Sequence, residues 1–286
     1  MYFLRLGICL CFSGISALAA DVVGSDLVKE IVVPGISKMS KVPTVELMGT
    51  LPARRALASG KASMALIFVK EGDTEPTAPD GFFLNRYLWA NSAAVVVVHR
   101  NNPFAQINLE ELKGIYAKES RTPFNDWSDF RNGNLAEPIS PLIYSPVGSF
   151  TQEYFQGFVM GGDDWKAGVR QRVEWPAVLD SLAARFGIIA VMPGLPAGSP
   201  GKVLPVSDGR EGRPKVAYLP DEMNIYTGDY PLRLPLYLYV RTDKERELRE
   251  VMLWLFSDEV ADKLRAQGLY PCPKAIRSRL SQRLDR

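Results

Sequence analysis

The run Ala93-Ala94-Val95-Val96-Val97-Val98 is a continuous stretch of small and β-branched residues. Such an unbroken apolar run is typical of a strand that is buried on both faces. A second extended run, Leu234 to Val240, lies near the other end of the chain. We interpret the two runs as the crossing strands that join two lobes. We therefore expect Val95–Val98 to lie beside Leu236–Val240.

Around these runs, short apolar strands alternate with helical patterns, which predicts an α/β fold with mostly parallel sheets flanked by helices. The predicted strands are Val45–Met48, Ala62–Val69, Ile139–Tyr144 and Gly187–Met192, and the predicted helices are Asp26–Val33, Leu51–Ser59, Asn108–Ala117, Ala177–Phe186 and Glu245–Phe256. The polar, proline-rich stretches 72–80 and 193–214 are predicted to be loops. The crossings divide the chain into lobe I, residues 21–92 plus 232–286, and lobe II, residues 93–231.

The N-terminus combines a basic residue, Arg5, with an apolar run from Leu6 to Leu18 and small residues at Ala17 and Ala19. This pattern predicts a secretory signal peptide over residues 1–20, and the run is too short to span a membrane comfortably. A buried N-terminal strand is the alternative interpretation. Cys272 is the one cysteine outside this segment, so the processed chain has no intrachain disulfide, which fits a bacterial periplasm.

A glycine followed by a hydroxyl residue stands three times where an apolar helix begins, at Gly24-Ser25, Gly49-Thr50 and Gly148-Ser149. The first turn of a helix has backbone N–H groups without intrahelical partners, and its dipole favours anions. Glycine allows a ligand close to the backbone, and the hydroxyl can cap the helix or bind the anion. If the three starts converge on one cleft, they form a pocket for a small oxyanion. A helix cap without any ligand is the alternative at each start.

The composition argues against several other functions. The net charge is +2, and no basic stripe is interleaved with aromatic residues, so the sequence does not indicate a nucleic-acid-binding protein. His99 is the only histidine and has no nucleophile motif beside it, and no carboxylate spacing is typical of a metal site. We therefore expect no enzyme activity, no cofactor and no metal. Three tryptophans could line a cleft for an organic ligand or belong to the core: Trp127, Trp165 and Trp175.

The order of several short motifs resembles the PstS-like phosphate-binding proteins of bacterial ABC importers, a branch of the type II periplasmic binding proteins. The most specific of them is Asn108-Leu109-Glu110-Glu111-Leu112-Lys113-Gly114-Ile115-Tyr116. The others include Val23-Gly24-Ser25-Asp26, Gly49-Thr50, Gly148-Ser149-Phe150-Thr151, Phe186-Gly187-Ile188-Ile189, Tyr230-Pro231-Leu232, Trp254-Leu255-Phe256-Ser257-Asp258-Glu259 and Gly268-Leu269-Tyr270-Pro271. The resemblance covers nearly the whole processed chain and implies a two-lobe fold with a ligand cleft between the lobes.

The sequence departs from this family at the ligand site. The family arginine that precedes the Gly-Ser-Gly-Thr loop is replaced by the stretch 144–147, which contains no arginine. The strand Met64–Val69 lacks the family aspartate, and Phe150 replaces the second glycine of the loop. Arg54 or Arg55 could replace the missing arginine, although both could equally face solvent. The candidate ligand-binding residues are Ser25, Asp26, Thr50, Leu51, Arg54, Gly148, Ser149, Phe150 and Thr151.

The resemblance implies a monomeric periplasmic protein that captures a small anion, phosphate by family likeness, for an inner-membrane ABC permease. The missing arginine and aspartate favour a second possibility, a PstS-like module with a changed or lost ligand that acts as a sensor or assembly partner. An enzyme on the same fold is a third possibility, for which the sequence offers no nucleophile or metal constellation.

Overall fold

The computed structural model describes residues 20–130, 135–146, 150–209 and 215–284. Over these ranges the chain forms two larger β-sheets, each packed against helices, and one short two-stranded pairing. The predicted α/β fold with two sheets is therefore confirmed. Among the helices described, none is both long enough and apolar enough to cross a membrane.

The first sheet combines N-terminal strands with strands from the end of the chain. Its six strands in the described residues are β1 (Val22–Gly24), β2 (Val45–Leu47), β3 (Met64–Phe68), β4 (Leu84–Ala93), β12 (Arg233–Arg241) and β13 (Tyr270–Pro271), in the order β13-β4-β12-β3-β1-β2. Strands β1, β2 and β3 are parallel, and β12 runs antiparallel to both β3 and β4. The carboxyl ends of β1, β2 and β3 consequently lie at one edge.

The second sheet is built from the middle of the chain. Its strands are β5 (Val95–His99), β7 (Ser140–Tyr144), β8 (Arg170–Arg172), β9 (Ile188–Met192) and β10 (Gly201–Val203), in the order β10-β5-β9-β7-β8. Strands β7, β8 and β9 are parallel, whereas β5 is antiparallel to β9. Strand β6 (Ile107–Asn108) pairs with β11 (Val206–Ser207). The stretch 193–214 is thus not all loop, because β10 and β11 find backbone partners there despite its glycines and prolines.

The helices follow the strands closely in sequence. They are α1 (Lys29–Ile36), α2 (Thr50–Ala58), α3 (Leu109–Tyr116), α4 (Phe150–Phe158), α5 (Trp175–Ala184), α6 (Glu222–Thr227), α7 (Arg249–Leu255), α8 (Asp258–Ala266) and α9 (Lys274–Leu284). Helix α3 begins with a capping box, in which the Asn108 side chain accepts from the Glu111 N–H and the Glu111 side chain accepts from the Asn108 N–H. Reciprocal capping of this kind satisfies two otherwise free donors and fixes where the helix starts.

The two apolar runs that we interpreted as crossing strands do not lie side by side. Strand β5 pairs with β9 and β10 in the second sheet, whereas β12 pairs with β3 and β4 in the first. The prediction that Val95–Val98 and Leu236–Val240 are neighbours was therefore wrong. The two segments meet just before these runs, where the Ala94 N–H donates to the Leu232 carbonyl at 2.9 Å. At Ala94 the chain leaves the first sheet and enters the second, so pairing between the segments stops there. The lobe bounds at residues 92 and 232 stay a prediction.

Close packing of α1 against Trp254 of α7 gives a direct test of the first sheet's helical layer. A Cβ atom at Gly35 would lie 1.8 Å from the Trp254 ring, whereas one at Gly157 of α4 meets no atom within 4 Å. We predict that Gly35→Ala lowers the free energy of unfolding by about 1–3 kcal/mol because the core is overpacked. The control Gly157→Ala should raise it by about 0.5–1 kcal/mol, since alanine favours helices. Urea denaturation checks both values, and equal effects would contradict this packing.

Candidate functional site

The strand ends that face each other in the two sheets define the candidate site. Strand β1 leads through a 3-10 helix (Asp26–Val28) into α1, β2 leads into α2, and β7 leads into α4. All three helices therefore begin beyond the carboxyl ends of parallel strands. In open α/β sheets, ligands bind in the crevice outside these ends.

The first glycine–hydroxyl pair is tightly enclosed. A Cβ atom at Gly24 would lie 2.8 Å from both Cβ and the carbonyl oxygen of Leu66, so only glycine fits beside β3. Ser25 is fully buried, and its hydroxyl accepts from the Leu27 N–H at 3.4 Å. A serine hydroxyl that accepts one hydrogen bond still has a proton to donate. Ser25 therefore caps the 3-10 helix and can also donate to an anion.

The second pair lies directly beside the first. The Gly49 N–H donates to the Gly24 carbonyl at 2.9 Å, which joins the two turns. Gly49 has φ 110° and ψ 163°, a conformation that is essentially restricted to glycine. Thr50 is the first residue of α2, and its hydroxyl oxygen is buried without a hydrogen-bond partner among the described residues. A buried hydroxyl without a partner is costly, and a ligand oxygen would satisfy it.

The third pair lies partly outside the described residues. Gly148 and Ser149 belong to the range 147–149, which the structure does not describe, and α4 begins directly after it at Phe150. Thr151 is buried, with 4 % of its surface exposed. It lines the same cavity as Leu27, which follows Ser25. The first turn of α4 in the second sheet thus faces the turn after β1 in the first sheet.

This cavity, which we call the interlobe cavity, has a volume of about 570 Å³. Elements of both sheets form its walls. The first sheet contributes Leu27, Ser92 and the turn 265–269 after α8, and the second contributes Tyr144, Pro146, Thr151, Trp175 and the segment 193–196 after β9. A volume of 300–1,000 Å³ is typical of small-molecule sites.

Two aromatic side chains form one wall of the interlobe cavity. The rings of Tyr144 and Trp175 lie 4.8 Å apart between centroids, with an angle of 31° between their planes. Tyr144 is at the end of β7, and Trp175 is the first residue of α5. Desolvation raises the pKa of the Tyr144 hydroxyl, so this residue is neutral at physiological pH.

Among the described residues that line the interlobe cavity, Arg265 is the one cationic side chain. Its guanidinium group is already paired, with Glu222 and with Asp262 at 2.7 Å. The hydrogen bond to Glu222, together with the charge of Asp262, raises the pKa of Arg265, so the guanidinium stays charged and paired with these carboxylates. Because its Nε and Nη1 atoms already bind carboxylates, Arg265 does not offer the pair of free N–H donors that binds an anion bidentately.

A second cavity of about 400 Å³, the polar cavity, lies beyond the end of β3. Its walls carry charged side chains of both signs: Lys70, Glu71, Asp73, Glu75, Asp208 and Arg233. Tyr154 and Phe158 of α4 line it from the second sheet. Helix α4 consequently borders both cavities, the interlobe cavity at Thr151 and the polar cavity at Tyr154.

The remaining candidate residues lie at different depths. Asp26 is exposed, and 57 % of Leu51 is exposed, so only their backbones are candidates for ligand contact. Arg54 extends towards the loop after β3, where its Nη1 donates to the Thr74 carbonyl at 2.6 Å and its Nη2 lies 3.8 Å from Asp73. Asp73 lines the polar cavity, whereas Arg54 is not among its lining residues and contacts it only through Asp73. Arg55 is exposed.

Of the three tryptophans singled out in the sequence, Trp175 lines the interlobe cavity, and the other two line neither cavity. Trp127 is fully buried and packs on Phe130, and Trp165 packs on Phe155. Tyr144 and the turn 265–269 were not predicted from the sequence to be part of the site. Tyr144 ends a predicted strand and stands just before the predicted helix start at Gly148-Ser149. This position could have identified it as a site residue. The turn 265–269 offered no such signal, because it reaches the cavity only through the packing of α8.

His99 ends β5, where its ring packs on Phe186 with 4.4 Å between centroids and its Nδ1 accepts from the Asn101 N–H. Within the described ranges, no group of three or more His, Cys, Asp or Glu residues is placed to hold a metal ion.

A family model described as a PBP superfamily domain matches residues 32–259. Solved structures give the same result at the level of the fold. A possible phosphate binding protein from Planctomyces limnophilus is 22 % identical, with a TM-score of 0.69, and the match covers 92 % of this chain and 96 % of that one. PstS from Borrelia burgdorferi is 12 % identical, with a TM-score of 0.66 and coverage of 88 % and 98 %. An ABC-type phosphate transport receptor from Vibrio cholerae is 17 % identical, with a TM-score of 0.61 and coverage of 88 % and 99 %. No curated protein sequence matches the chain significantly.

The family model spans most of the chain, and the chain therefore belongs to the PBP superfamily. Within that superfamily its fold is PstS-like, because these structures match it over nearly their whole length. The resemblance that the sequence motifs indicated is thus confirmed, including the two-lobe arrangement.

The two neighbouring arginines of α2 provide a matched test of the wall of the polar cavity. We predict that Arg54→Ala lowers the free energy of unfolding by about 0.5–1.5 kcal/mol, because the Thr74 carbonyl loses a charged donor. Arg55→Ala should change it by less than about 0.5 kcal/mol, as expected for an exposed position. Urea denaturation of both variants measures the difference, and a larger effect at Arg55 would contradict the structure.

Proposed function

We propose that this protein is a secreted solute-binding protein that captures a small oxyanion between its two lobes. Phosphate is the first candidate, because the solved structures with this fold include a phosphate transport receptor and PstS. The bound anion is delivered to an inner-membrane ABC permease. The protein acts in the periplasm as a monomer, binds no nucleic acid and catalyses no reaction.

One observation carries this proposal. Thr50 holds a buried hydroxyl with no hydrogen-bond partner among the described residues, at the start of a helix and one residue from the Gly49–Gly24 hydrogen bond. A helix start attracts anions through its free N–H groups and its dipole. An anion at this position would accept the Thr50 hydroxyl proton and compensate for the cost of burying that group.

The other donors follow from the same geometry. Hydroxyl donors are Ser25, Thr50, Ser149 and Thr151, and backbone N–H donors are those of Asp26, Leu51 and Phe150, with Gly148 permitting close approach of the ligand. Arg54 is assigned the role of the missing family arginine, which requires it to leave the Thr74 carbonyl when the ligand binds. Closure of the lobes about Ala94 and Leu232 brings the donors of the two sheets together.

The Thr50 hydroxyl gives the sharpest test, because stability and binding should respond differently. Thr50→Val removes a hydroxyl without a partner, so the free energy of unfolding of the ligand-free protein should stay the same or rise slightly. Phosphate affinity, measured by isothermal titration calorimetry, should fall about 5- to 150-fold through loss of a charge-assisted hydrogen bond.

Thr122→Val is the matched control, since Thr122 is exposed and lies outside both cavities. It should leave phosphate affinity unchanged. Unchanged affinity in a folded Thr50→Val protein would show that the Thr50 hydroxyl does not contact the anion, which would overturn the observation that carries the proposal. Comparison of Arg54→Ala with Arg55→Ala in the same titration tests the assignment of Arg54.

Secretion is tested separately. Strand β1 begins at Val22, and the Asp21 N–H donates to the Thr44 hydroxyl, so removal of residues 1–20 leaves the first sheet intact. We predict that protein purified from the periplasm begins near Ala20 or Asp21. Intact-mass spectrometry measures this directly, and exported protein that retains Met1 would contradict the proposed signal peptide.

A further inference from the structure

The interlobe cavity is larger and less polar than a bare oxyanion needs. Besides Tyr144 and Trp175, its lining includes Leu27, Leu195 and Leu269. Prolines 146, 193 and 196 add further carbon surface. Its volume of about 570 Å³ lies in the range of sites for organic molecules.

The interlobe cavity also has fewer positive charges than a site for a small dianion needs. A fully dehydrated dianion needs several donors or cations close to it, because burial of charge without compensation is very costly. Among the described lining residues, the guanidinium group of Arg265 is the only positive charge, and two carboxylates hold it. The other polar side chains of the lining are uncharged, namely Ser92, Tyr144, Thr151 and Gln267.

From this largely apolar lining and its one paired cation, and resting on the proposed function, we infer that the ligand is an organic oxyanion, a phosphonate or phosphate monoester with a planar apolar group. The anionic head lies at the starts of α2 and α4. The apolar group extends into the interlobe cavity against Trp175 and Tyr144. An aromatic ring on the ligand would stack on the Trp175 indole, as aromatic pairs do at centroid distances of 4.5–7 Å.

The inference also explains the replacements at the family's ligand site. A ligand with an apolar body gains binding energy from the hydrophobic walls, so its head requires fewer charged contacts. Loss of the arginine before α4 is then tolerated. Trp175 opens α5, and its ring packs on Tyr144 at the end of β7, so the two aromatic side chains hold each other in the wall before a ligand binds.

The test compares inorganic phosphate, methylphosphonate and phenylphosphonate by isothermal titration calorimetry on the processed chain. Phenylphosphonate should bind about tenfold or more tightly than methylphosphonate, since only its ring buries apolar surface. Trp175→Leu should remove most of that advantage and leave methylphosphonate affinity within about twofold. Thr50→Val should weaken binding of both phosphonates, because both use the head-group donors.

Val173→Ala is the matched control, because Val173 is exposed, lies two residues before Trp175 and is not among the residues that line the interlobe cavity. Phenylphosphonate should also change the tryptophan fluorescence of the unmodified protein, and Trp175→Leu should abolish most of that change. Thermal unfolding confirms that each variant is folded.

Each other outcome identifies what has failed. If phosphate binds and phenylphosphonate binds no tighter than methylphosphonate, the inference is overturned and the proposed function stands. If phenylphosphonate binds more tightly but Trp175→Leu has no effect, the organic group does not occupy the interlobe cavity, and the inference is again overturned. If none of the three anions binds, the proposed function fails together with the inference.

Discussion

The structure depends above all on the close approach of three parallel strands where β1, β2 and β3 end. Gly24 packs so closely against Leu66 that a side chain would not fit there, and the Gly49 N–H donates to the Gly24 carbonyl. A side chain at either glycine would separate the strands or strain the turn, so the starts of α1 and α2 are fixed side by side. Two helix starts that are held side by side keep their N–H groups near one another before an anion arrives.

The two sheets are connected by a compact set of hydrogen bonds around Ala94. Its N–H donates to the Leu232 carbonyl, and its own carbonyl accepts from the buried Tyr230 hydroxyl at 2.8 Å. Tyr154 of α4 adds a third link, because its hydroxyl donates to the Arg233 carbonyl. Helix α4, which borders both cavities, is therefore tied to the first residue of β12, next to the point where the chain enters the first sheet. A change in the position of α4 on ligand binding would be transmitted directly to this crossing.

Much of the fold could be predicted from local patterns. The helical pattern of Asn108–Ala117 predicted α3, and the valine run predicted a buried strand, because both signals are complete within a few residues. The pairing of that strand could not be predicted, since which strands become neighbours depends on where the chain leaves one sheet for the other. The same limit applied to the site. The Gly24 and Gly49 turns were visible as local motifs, whereas the Tyr144–Trp175 wall and the turn 265–269 are assembled from distant segments. Arg54 illustrates the limit for side chains, because its place on α2 could be predicted from the sequence but its hydrogen bond to the Thr74 carbonyl could not.

The central claim is that an oxyanion binds where the helix starts of the two sheets face each other. A crystal structure of the processed chain grown with phosphate or phenylphosphonate tests it most directly. The account predicts density for the anionic head within hydrogen-bonding distance of the Thr50 and Thr151 hydroxyls, with the phenyl group beside Trp175. An anion bound only in the polar cavity at Lys70 and Arg233, with the Thr50 hydroxyl still without a partner, would contradict it.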